Sequence, residues 1–199
     1  MKHFSEVTPA GERVLDVAEE LIARRGYNGF SYDDIAKRIG IKKPSIHHHF
    51  PTKAELVAVM AQRYTHRFRG ALLEIEGRQA VPHARLMAYA DLFERTHLRE
   101  REFCVCGILG AEAETLPAPA AEEVSRFFTL NLDWLGAVFK QGAEEGSLRL
   151  PAPAPVHAEG LLALLEGSML LARGLRQSTA GGAGPVALAA AYLTPLQPL

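Results

Sequence analysis

The hydrophobic positions of this chain recur at helical spacing along most of its length. In the first segment they fall at i, i+3, i+4, i+7 and i+8, the pattern of an amphipathic helix. These residues are Val14, Val17, Ala18, Leu21 and Ile22. Thr8 and Pro9 can start this helix, and Gly26 ends it. No segment shows a convincing alternation of apolar and polar residues. We therefore predict an all-α protein of about nine helices.

Segments rich in proline, glycine and alanine divide the rest of the chain into further helices. These breaks fall at residues 77–82, 116–121, 146–155 and 178–185. Helical patterns cover residues 83–99, 105–115, 120–145, 156–176 and 185–194. No internal repeat is visible.

Residues 31–50 predict two short helices joined by a tight turn. Ser31 can cap the first helix, with Asp34 at its third position, where an acid complements the helix dipole. Gly40 allows the turn a positive φ, and Pro44 suits the first turn of the second helix. The apolar residues of the pair point to a core; they are Ile35, Ala36, Ile39, Ile41, Ile46 and Phe50. The arrangement is a helix-turn-helix, which places side chains in the major groove of DNA.

A long helix follows this pair. Thr52 and Glu55 have the spacing of a capping box, so we expect the helix to start there. Its apolar side continues through Leu56, Met60 and Tyr64 and beyond residue 72. We expect this helix to belong to both the N-terminal part and the rest of the chain, and to act as a lever between them.

Residues 12–60 resemble the N-terminal domain of the TetR (tetracycline-repressor-type, TetR/AcrR) family of transcriptional regulators. The resemblance rests on GYNGFSYDDIAKRIGIKKPSIHHHFPTKAEL: a Gly-Phe-Ser lead-in, IA..IG, a P-S-I recognition helix, H-x-F and K-x-E-L. Lys42 stands where the family usually has Ser or Thr, and His47 and His49 where it has Tyr. The resemblance implies a DNA-binding domain over residues 1–52 and a helical effector-binding and dimerisation domain over 53–199.

The polar outer face of the helix-turn-helix supplies candidate DNA contacts. The resemblance implies that Lys43, Ser45 and His47 reach base edges, next to Pro44. Other residues are better placed to bind phosphates and fix the register; these are Ser31, Tyr32, Lys42, His48 and Lys53. The alternative is an ordinary solvated helix face. Residues 47–49 are three consecutive histidines, but on a helix they point in three directions, so we expect no metal site there.

Charge and composition agree with one nucleic-acid face on a globular protein. The net charge is −1, but residues 1–70 carry 12 Lys and Arg against 8 Asp and Glu, while residues 71–199 carry 10 against 15. The N-terminus has no apolar signal region, and the longest apolar run, residues 160–172, is too short to cross a bilayer. We therefore expect a cytoplasmic protein without a membrane partner. Two cysteines form no disulfide framework.

Residues 156–175 form a helix that is apolar nearly all round, with glycine at every seventh position. Such a helix needs neighbours on most sides, and the glycines let another backbone approach. Since the TetR family dimerises through its last two helices, the resemblance favours a homodimer interface over an ordinary core helix. The implied interface residues are Gly160, Leu164, Gly167, Leu171, Gly174, Leu188 and Tyr192.

The C-terminal part is expected to hold an effector site. Aromatic and apolar side chains can line a cavity for a small apolar or aromatic effector. The candidates are Phe68, Leu72, Met87, Phe93, Phe103, Cys106, Phe127, Phe128, Leu132, Trp134 and Met169. The alternative is that most of them are plain core.

The two cysteines allow a second sensing chemistry. Cys106 lies near the predicted start of a helix, where a thiol ionises more readily, and Cys104 precedes it. The hypothesis is that an oxidant or electrophile reacts with Cys106; the alternative is a small buried hydrophobe.

These observations predict a ligand-responsive regulator, a homodimeric repressor released from a palindromic double-stranded DNA operator by a small molecule. The first alternative is a thiol-based redox or electrophile sensor that uses Cys106. A helical enzyme is a further alternative, but no Ser/His/Asp set, metal-ligand spacing or glycine-rich phosphate loop is visible, and no cofactor is expected. A helical interaction module without DNA binding is the last.

Overall fold

The computed structural model describes residues 3–98, 103–175 and 183–198, and over these ranges it is helical, without strands. The α-helices are α1 (Pro9–Arg25), α2 (Tyr32–Ile39), α3 (Lys43–His49), α4 (Lys53–Arg78), α5 (Pro82–Leu98), α6 (Val105–Ala111), α7 (Ala118–Glu144), α8 (Ala154–Gly174) and α9 (Pro185–Leu193). Short 3-10 helices cover Phe4–Glu6, Ala113–Thr115 and Thr194–Leu196. The prediction of an all-α protein of about nine helices is confirmed.

The ends of α1 and α2 follow from local chemistry. The hydroxyl of Thr8 accepts a hydrogen bond from the Gly11 amide at 3.2 Å, so α1 starts at the predicted residue. Ser31 and Asp34 form a capping box, in which the Ser31 amide donates to the Asp34 carboxylate at 2.8 Å. Gly40 ends α2 with φ 77° and ψ 32°, the left-handed conformation that glycine adopts without strain.

One predicted helix is shorter than expected. The pattern over residues 105–115 predicted a single helix, but α6 ends at Ala111 and the chain turns at Glu112 into a 3-10 helix. The carboxylate of Glu112 accepts hydrogen bonds from the amides of Tyr27 at 2.5 Å and Asn28 at 3.3 Å. This turn therefore serves a long-range contact that periodicity does not register. The predicted break at 178–185 lies outside the described residues up to residue 182.

The chain packs as two compact units. The first combines Met1–Phe68 with Cys104–Phe128, and the second combines Arg69–Phe103 with Thr129–Leu199. These units are defined by packing and do not coincide with the expected boundary after residue 52. The boundary after residue 52 separates the predicted DNA-binding domain from the predicted effector-binding domain, and it stays a prediction.

The first unit has one hydrophobic core. α1, α2, α3 and the first half of α4 contribute fully buried residues, among them Leu15, Ile22, Ile35, Ile46 and Leu56. Each such side chain contributes roughly 1.5–3 kcal/mol by leaving water. The core therefore holds α3 with one face inward and the opposite face outward.

An ionic cluster adds to this core where α4 crosses α1. The guanidinium of Arg63 pairs with Glu12 at 2.5 Å, Asp16 at 2.8 Å and Glu19 at 3.0 Å, and its side chain is 9% exposed. Arg67 also pairs with Glu19, at 2.5 Å. α4 is thereby joined to α1 by charge as well as by apolar packing.

Within the second unit, α9 packs on α5 and α8. A β-carbon on Gly160 would lie 2.9 Å from the hydroxyl oxygen of Tyr192, so this glycine lets α9 approach α8 closely. The Tyr192 hydroxyl lies 2.9 Å from Nδ1 of buried His157, and the Glu94 carboxylate accepts from the Val186 amide in the first turn of α9 at 3.2 Å. Among the described residues, no helix is both long enough and apolar enough to cross a bilayer.

Candidate DNA-binding surface

The candidate surface is the outer face of α3 together with the start of α2. Ile46 is fully buried and Phe50 nearly so, which turns the opposite side of α3 to solvent. We define the recognition surface as the exposed residues Ser31, Asp33, Lys42, Lys43, Pro44, Ser45, His47 and His48. The surface thus combines two lysines, two hydroxyls and two imidazoles on a helix pair that the core holds in place.

Lys43 and Asp33 form an ion pair on this surface. The ammonium Nζ of Lys43 lies 3.0 Å from the carboxylate Oδ2 of Asp33, and the two side chains are 46% and 59% exposed. From the sequence, Asp33 was only one of the acids near the start of α2, and its pairing across the turn went unpredicted. The signal was an acid and a base at the first turns of two consecutive helices.

His47 is oriented by its neighbours. Its ring lies against Tyr32, with 4.7 Å between centroids, and its Nδ1 is 3.1 Å from the carbonyl oxygen of Pro51. A carbonyl only accepts, so we assign the proton to Nδ1 as the donor. In the neutral ring Nε2 is then an acceptor, and the side chain is exposed. His47 can therefore accept a hydrogen bond from the amino group of a base.

Tyr32 is a correction to the predicted phosphate contacts. Its side chain is 5% exposed, and its hydroxyl donates to the carbonyl oxygen of Phe50 at 2.8 Å. Burial raises the pKa of the Tyr32 hydroxyl above its usual value, with smaller contributions from Glu55 and Tyr27. The residue ties the start of α2 to the end of α3 and does not reach the surface. Pattern alone could not show this, because α2 is short and its inner face is wide.

The ammonium of Lys53 also points inward. It donates to the carbonyl oxygen of Phe30 at 2.5 Å and lies 4.5 Å and 4.2 Å from the ring centroids of Tyr27 and Phe30. Burial lowers the pKa of Lys53, and the nearby Glu112 and Asp34 carboxylates oppose this change. The predicted phosphate contact disagrees with this position, because the ammonium would first have to leave the carbonyl and both rings.

The other predicted phosphate contacts lie on the surface. Ser31 is exposed, but its hydroxyl donates to the Asp34 carboxylate at 2.6 Å, so it offers a phosphate its proton only by exchanging that bond. Lys42 precedes α3 without a side-chain cap, as expected from the replacement of Ser or Thr, and its side chain is exposed. His48 is exposed and its ring lies edge-on to His49, at 5.5 Å.

The histidine run does not converge. His47 faces Pro51, whereas Nδ1 of half-buried His49 lies 3.5 Å from the hydroxyl of Thr8. Across the described ranges, no three His, Cys, Asp or Glu side chains are grouped as metal ligands.

The predicted effector residues are distributed over both units. Phe68, Cys106, Phe127 and Phe128 belong to the first unit; Leu72, Met87, Phe93, Phe103, Leu132, Trp134 and Met169 belong to the second. In the second unit the ring of Trp134 stacks on Tyr89 at 5.5 Å, and the Tyr89 hydroxyl donates to Asn131 at 2.7 Å. Tyr89 and Asn131 were not among the predicted effector residues. A polar side chain on a helix is expected to be exposed unless its buried hydrogen-bond partner is known. That the predicted residues line one effector pocket remains a prediction.

Both cysteines are buried. Cys106 is 0% exposed, and the sulfur of Cys104 accepts from the Gly107 amide at 3.4 Å and the Tyr64 hydroxyl at 3.8 Å. Cys104 therefore serves as the cap of α6. A reagent would reach Cys106 only after local opening, and its reactivity stays a prediction.

The predicted interface residues fall into two groups. Gly160 and Tyr192 contact each other within the chain, as described above, and Leu164 and Leu188 are half-buried. Leu171 is 66% exposed, and a β-carbon on Gly167 or Gly174 would meet no described atom within 4 Å. The outer side of α8 and the residue that follows it thus carry exposed apolar side chains, namely Val156, Leu170, Leu171 and Leu175.

Comparison with known proteins finds matches for both the N-terminal sequence and the fold. Residues 14–60 match the family model for bacterial regulatory proteins of the tetR family. A crystal structure of a TetR-family transcriptional regulator from Agrobacterium tumefaciens superposes with a TM-score of 0.84 at 35% identity, over 94% of this chain and 97% of that chain.

Two curated relatives match the N-terminal part. The biofilm operon icaADBC negative transcriptional regulator IcaR of Staphylococcus aureus is 40% identical over 45 residues, 23% of this chain and 24% of its own. The transcriptional activator FasR of Mycolicibacterium smegmatis is 39% identical over 59 residues, 28% of this chain and 27% of its own. The matched region therefore spans about a quarter of these relatives.

Proposed function

Since the chain belongs to the TetR family of bacterial transcriptional regulators, we propose that it is a homodimeric repressor that binds a palindromic DNA operator and is released by a small molecule. The observation that carries the proposal is the recognition surface, whose cations and hydrogen-bonding groups are exposed around α3 and the start of α2 while Ile46 is buried. The family consists of transcriptional regulators and not of enzymes, which excludes the helical enzyme. A regulator of bacterial genes works in the cytoplasm, where the DNA is.

Lys42 and Lys43 supply the charge for DNA binding. Each lysine that neutralises a phosphate releases counterions, so affinity falls steeply with salt. Lys43, Ser45 and His47 supply donors and acceptors toward base edges, which carry the sequence information. A short α3 reaches few base pairs, so one chain alone has low specificity.

Dimerisation supplies the second recognition helix. The exposed apolar residues at the outer side of α8 and just after it, such as Leu170, Leu171 and Leu175, would leave water in a homodimer, and each contributes roughly 1.5–3 kcal/mol when fully buried. Two copies of α3 about 34–36 Å apart then read successive major-groove faces of a palindrome.

Repression requires less of the protein than activation does. A dimer that occupies a promoter excludes polymerase by its bulk, whereas an activator also needs a surface that recruits polymerase. The relatives include IcaR, a negative regulator, and FasR, an activator, so the sign of regulation is tested by transcription from the selected operator in vitro.

Release by an effector requires two conformers of different DNA affinity. In one conformer the spacing of the two recognition helices does not match the operator half-sites. An effector that binds this conformer better shifts the equilibrium toward it, and a coupling free energy of about 1–3 kcal/mol between two sites is typical. In the second unit, the stacked rings of Tyr89 and Trp134 lie beside the polar Asn131, and effector sites are commonly lined by such a mixture of aromatic and polar groups.

The test of DNA binding begins with selection of duplexes from a random pool. Replacing Lys43 and His47 with alanine is expected to weaken binding to the selected duplex at least tenfold, since each removed base contact is worth about 1–3 kcal/mol. A matched control, Glu20→Gln, removes a carboxylate that pairs with Arg38 at 2.6 Å outside the recognition surface, and should bind as the wild type does. Equal binding by all three proteins would refute the proposal.

The dimer has its own test. Leu171→Lys places a charge among the exposed apolar residues of α8 and is expected to give monomers in sedimentation velocity at micromolar concentration. Val81→Lys is the control, because Val81 is also exposed, at 54%, but lies before α5. A wild-type protein that is monomeric at these concentrations would contradict the proposal.

A further inference from the structure

The recognition surface carries one carboxylate beside its cations, and we propose that Asp33 and Lys43 act together as a reader of one G·C base pair. This inference rests on the proposed function, because it assigns sequence specificity to a surface that must first bind DNA. It adds Asp33 to the residues that determine specificity, although its carboxylate is repelled by the phosphates of DNA.

The geometry separates Asp33 from the neighbouring acid. Asp34 faces its own helix end, where it accepts from the amide and hydroxyl of Ser31, and it lies 3.5 Å from Arg25. Asp33 faces α3 and lies 3.0 Å from Lys43. Both partners of this pair are about half exposed, so they form a paired donor and acceptor at the solvent boundary.

This pair matches the major-groove edge of G·C in spacing and in polarity. Guanine presents the acceptors O6 and N7, and cytosine presents the N4 donor. Guanine O6 and cytosine N4 are hydrogen-bonded to each other, so they lie about 3 Å apart. The Lys43 ammonium only donates and the Asp33 carboxylate only accepts, and their separation of 3.0 Å is the same.

An A·T pair fits the two groups less well. It also places a donor beside an acceptor, but only guanine presents two neighbouring acceptors to a cation. Thymine also places a methyl group in the major groove. Contact with this methyl group would remove water from the charged pair without giving it a hydrogen-bond partner. The pair should therefore prefer G·C.

Asp33 has a second effect in the absence of the operator. While the carboxylate holds the ammonium, Lys43 is less available to phosphates, and the carboxylate itself repels them. This lowers affinity for DNA of any sequence. Removing Asp33 should thus raise non-specific binding while lowering specificity, a combination that simple loss of a stabilising ion pair does not produce.

The experiment compares wild type with Asp33→Ala, Asp33→Asn, Lys43→Ala and the double alanine variant. Duplexes are selected from a random pool with each protein, and dissociation constants are then measured for the selected duplex and for versions with each G·C pair changed to A·T. Glu20→Ala is the control, since it removes an exposed carboxylate that pairs with Arg38 at 2.6 Å. Circular dichroism melting shows that each variant is folded.

We expect the wild type to prefer G·C over A·T at one position of each half-site by about tenfold or more. Asp33→Ala should reduce this preference at least fivefold at that position only, and Asp33→Asn should keep part of it, because the amide oxygen still accepts. The double variant should discriminate G·C from A·T as well as Lys43→Ala alone does, because the two side chains act together. For a scrambled duplex, Asp33→Ala should bind several-fold tighter with a salt slope steeper by about one.

Two outcomes overturn the inference in distinguishable ways. If Asp33→Ala and Asp33→Asn select the same sequences as wild type with the same G·C preference, the pair is not a reader, and the proposed function stands. If the wild type selects no sequence at all, the proposed function fails and this inference fails with it.

Discussion

Replacing Arg63 with methionine should lower the free energy of unfolding by about 2–3 kcal/mol. The guanidinium is the only cation that contacts Glu12, Asp16 and Glu19 together among the described residues, and its side chain is 9% exposed. Methionine keeps most of the packing of the stem, so the loss reports on the charge.

The magnitude follows from the exposure of the three acids. Breaking a fully buried ion pair destabilises by 3–5 kcal/mol, because an uncompensated charge stays buried. Here the side chains of Glu12 and Asp16 are 39% and 60% exposed and can be hydrated, while Glu19 keeps Arg67. What remains is the repulsion among three acids on one face of α1 and the partial burial of Glu19. We therefore expect Arg63→Met to lower the free energy of unfolding by less than the loss of a fully buried ion pair would.

The assay is urea denaturation followed by circular dichroism, with all proteins at one concentration because dimerisation adds to apparent stability. Arg67→Met is the matched control; that side chain is 50% exposed, and its single pair should contribute at most about 1 kcal/mol. An Arg63→Met protein within about 0.5 kcal/mol of wild type would refute the view that this cluster stabilises α4 on α1.

Three further predictions concern a half-buried carboxylate, a buried imidazole and a buried thiol. Glu112→Gln should destabilise the protein by about 1–3 kcal/mol and speed hydrogen exchange at the Tyr27 amide, which donates a hydrogen bond to that carboxylate; unchanged exchange would contradict this. Burial lowers the pKa of His157, so the unfolded chain binds its proton first. Stability should therefore be full above about pH 6.5 and fall as the pH drops from there toward the lower pKa of the folded protein; urea denaturation from pH 7.5 to 5 should show a smaller fall in His157→Gln. Cys106 should react with a maleimide far more slowly in native protein than in urea, as followed by intact mass in a Cys104→Ser background, and equal rates would show that it is accessible.

The local chemistry of the chain predicted the helices well. Ser31 caps α2 and Gly40 ends it because the groups involved lie within a few residues of each other. The inward direction of Ile46 and Phe50 also followed from their spacing of four. Such features depend on the sequence nearby and little on the rest of the fold.

The contacts of the site depended on residues distant in the sequence. Tyr32 is buried because its hydroxyl meets the carbonyl of Phe50, eighteen positions later, a pairing that its place on α2 does not reveal. Likewise Glu112 ends α6 to bind the turn after α1, and Gly160 faces Tyr192 in its own chain as well as serving the helix proposed for dimerisation. Residue type showed which groups could act, and the packing of helices decided which of them reach the surface.

The most direct test of the account is fluorescence anisotropy of the wild-type protein with its selected duplex and with a scrambled duplex, at physiological salt. The account predicts binding of two chains per duplex, and an affinity for the selected sequence at least about a thousandfold above that for the scrambled one. Equal affinities for the two duplexes, or one chain per duplex, would contradict it.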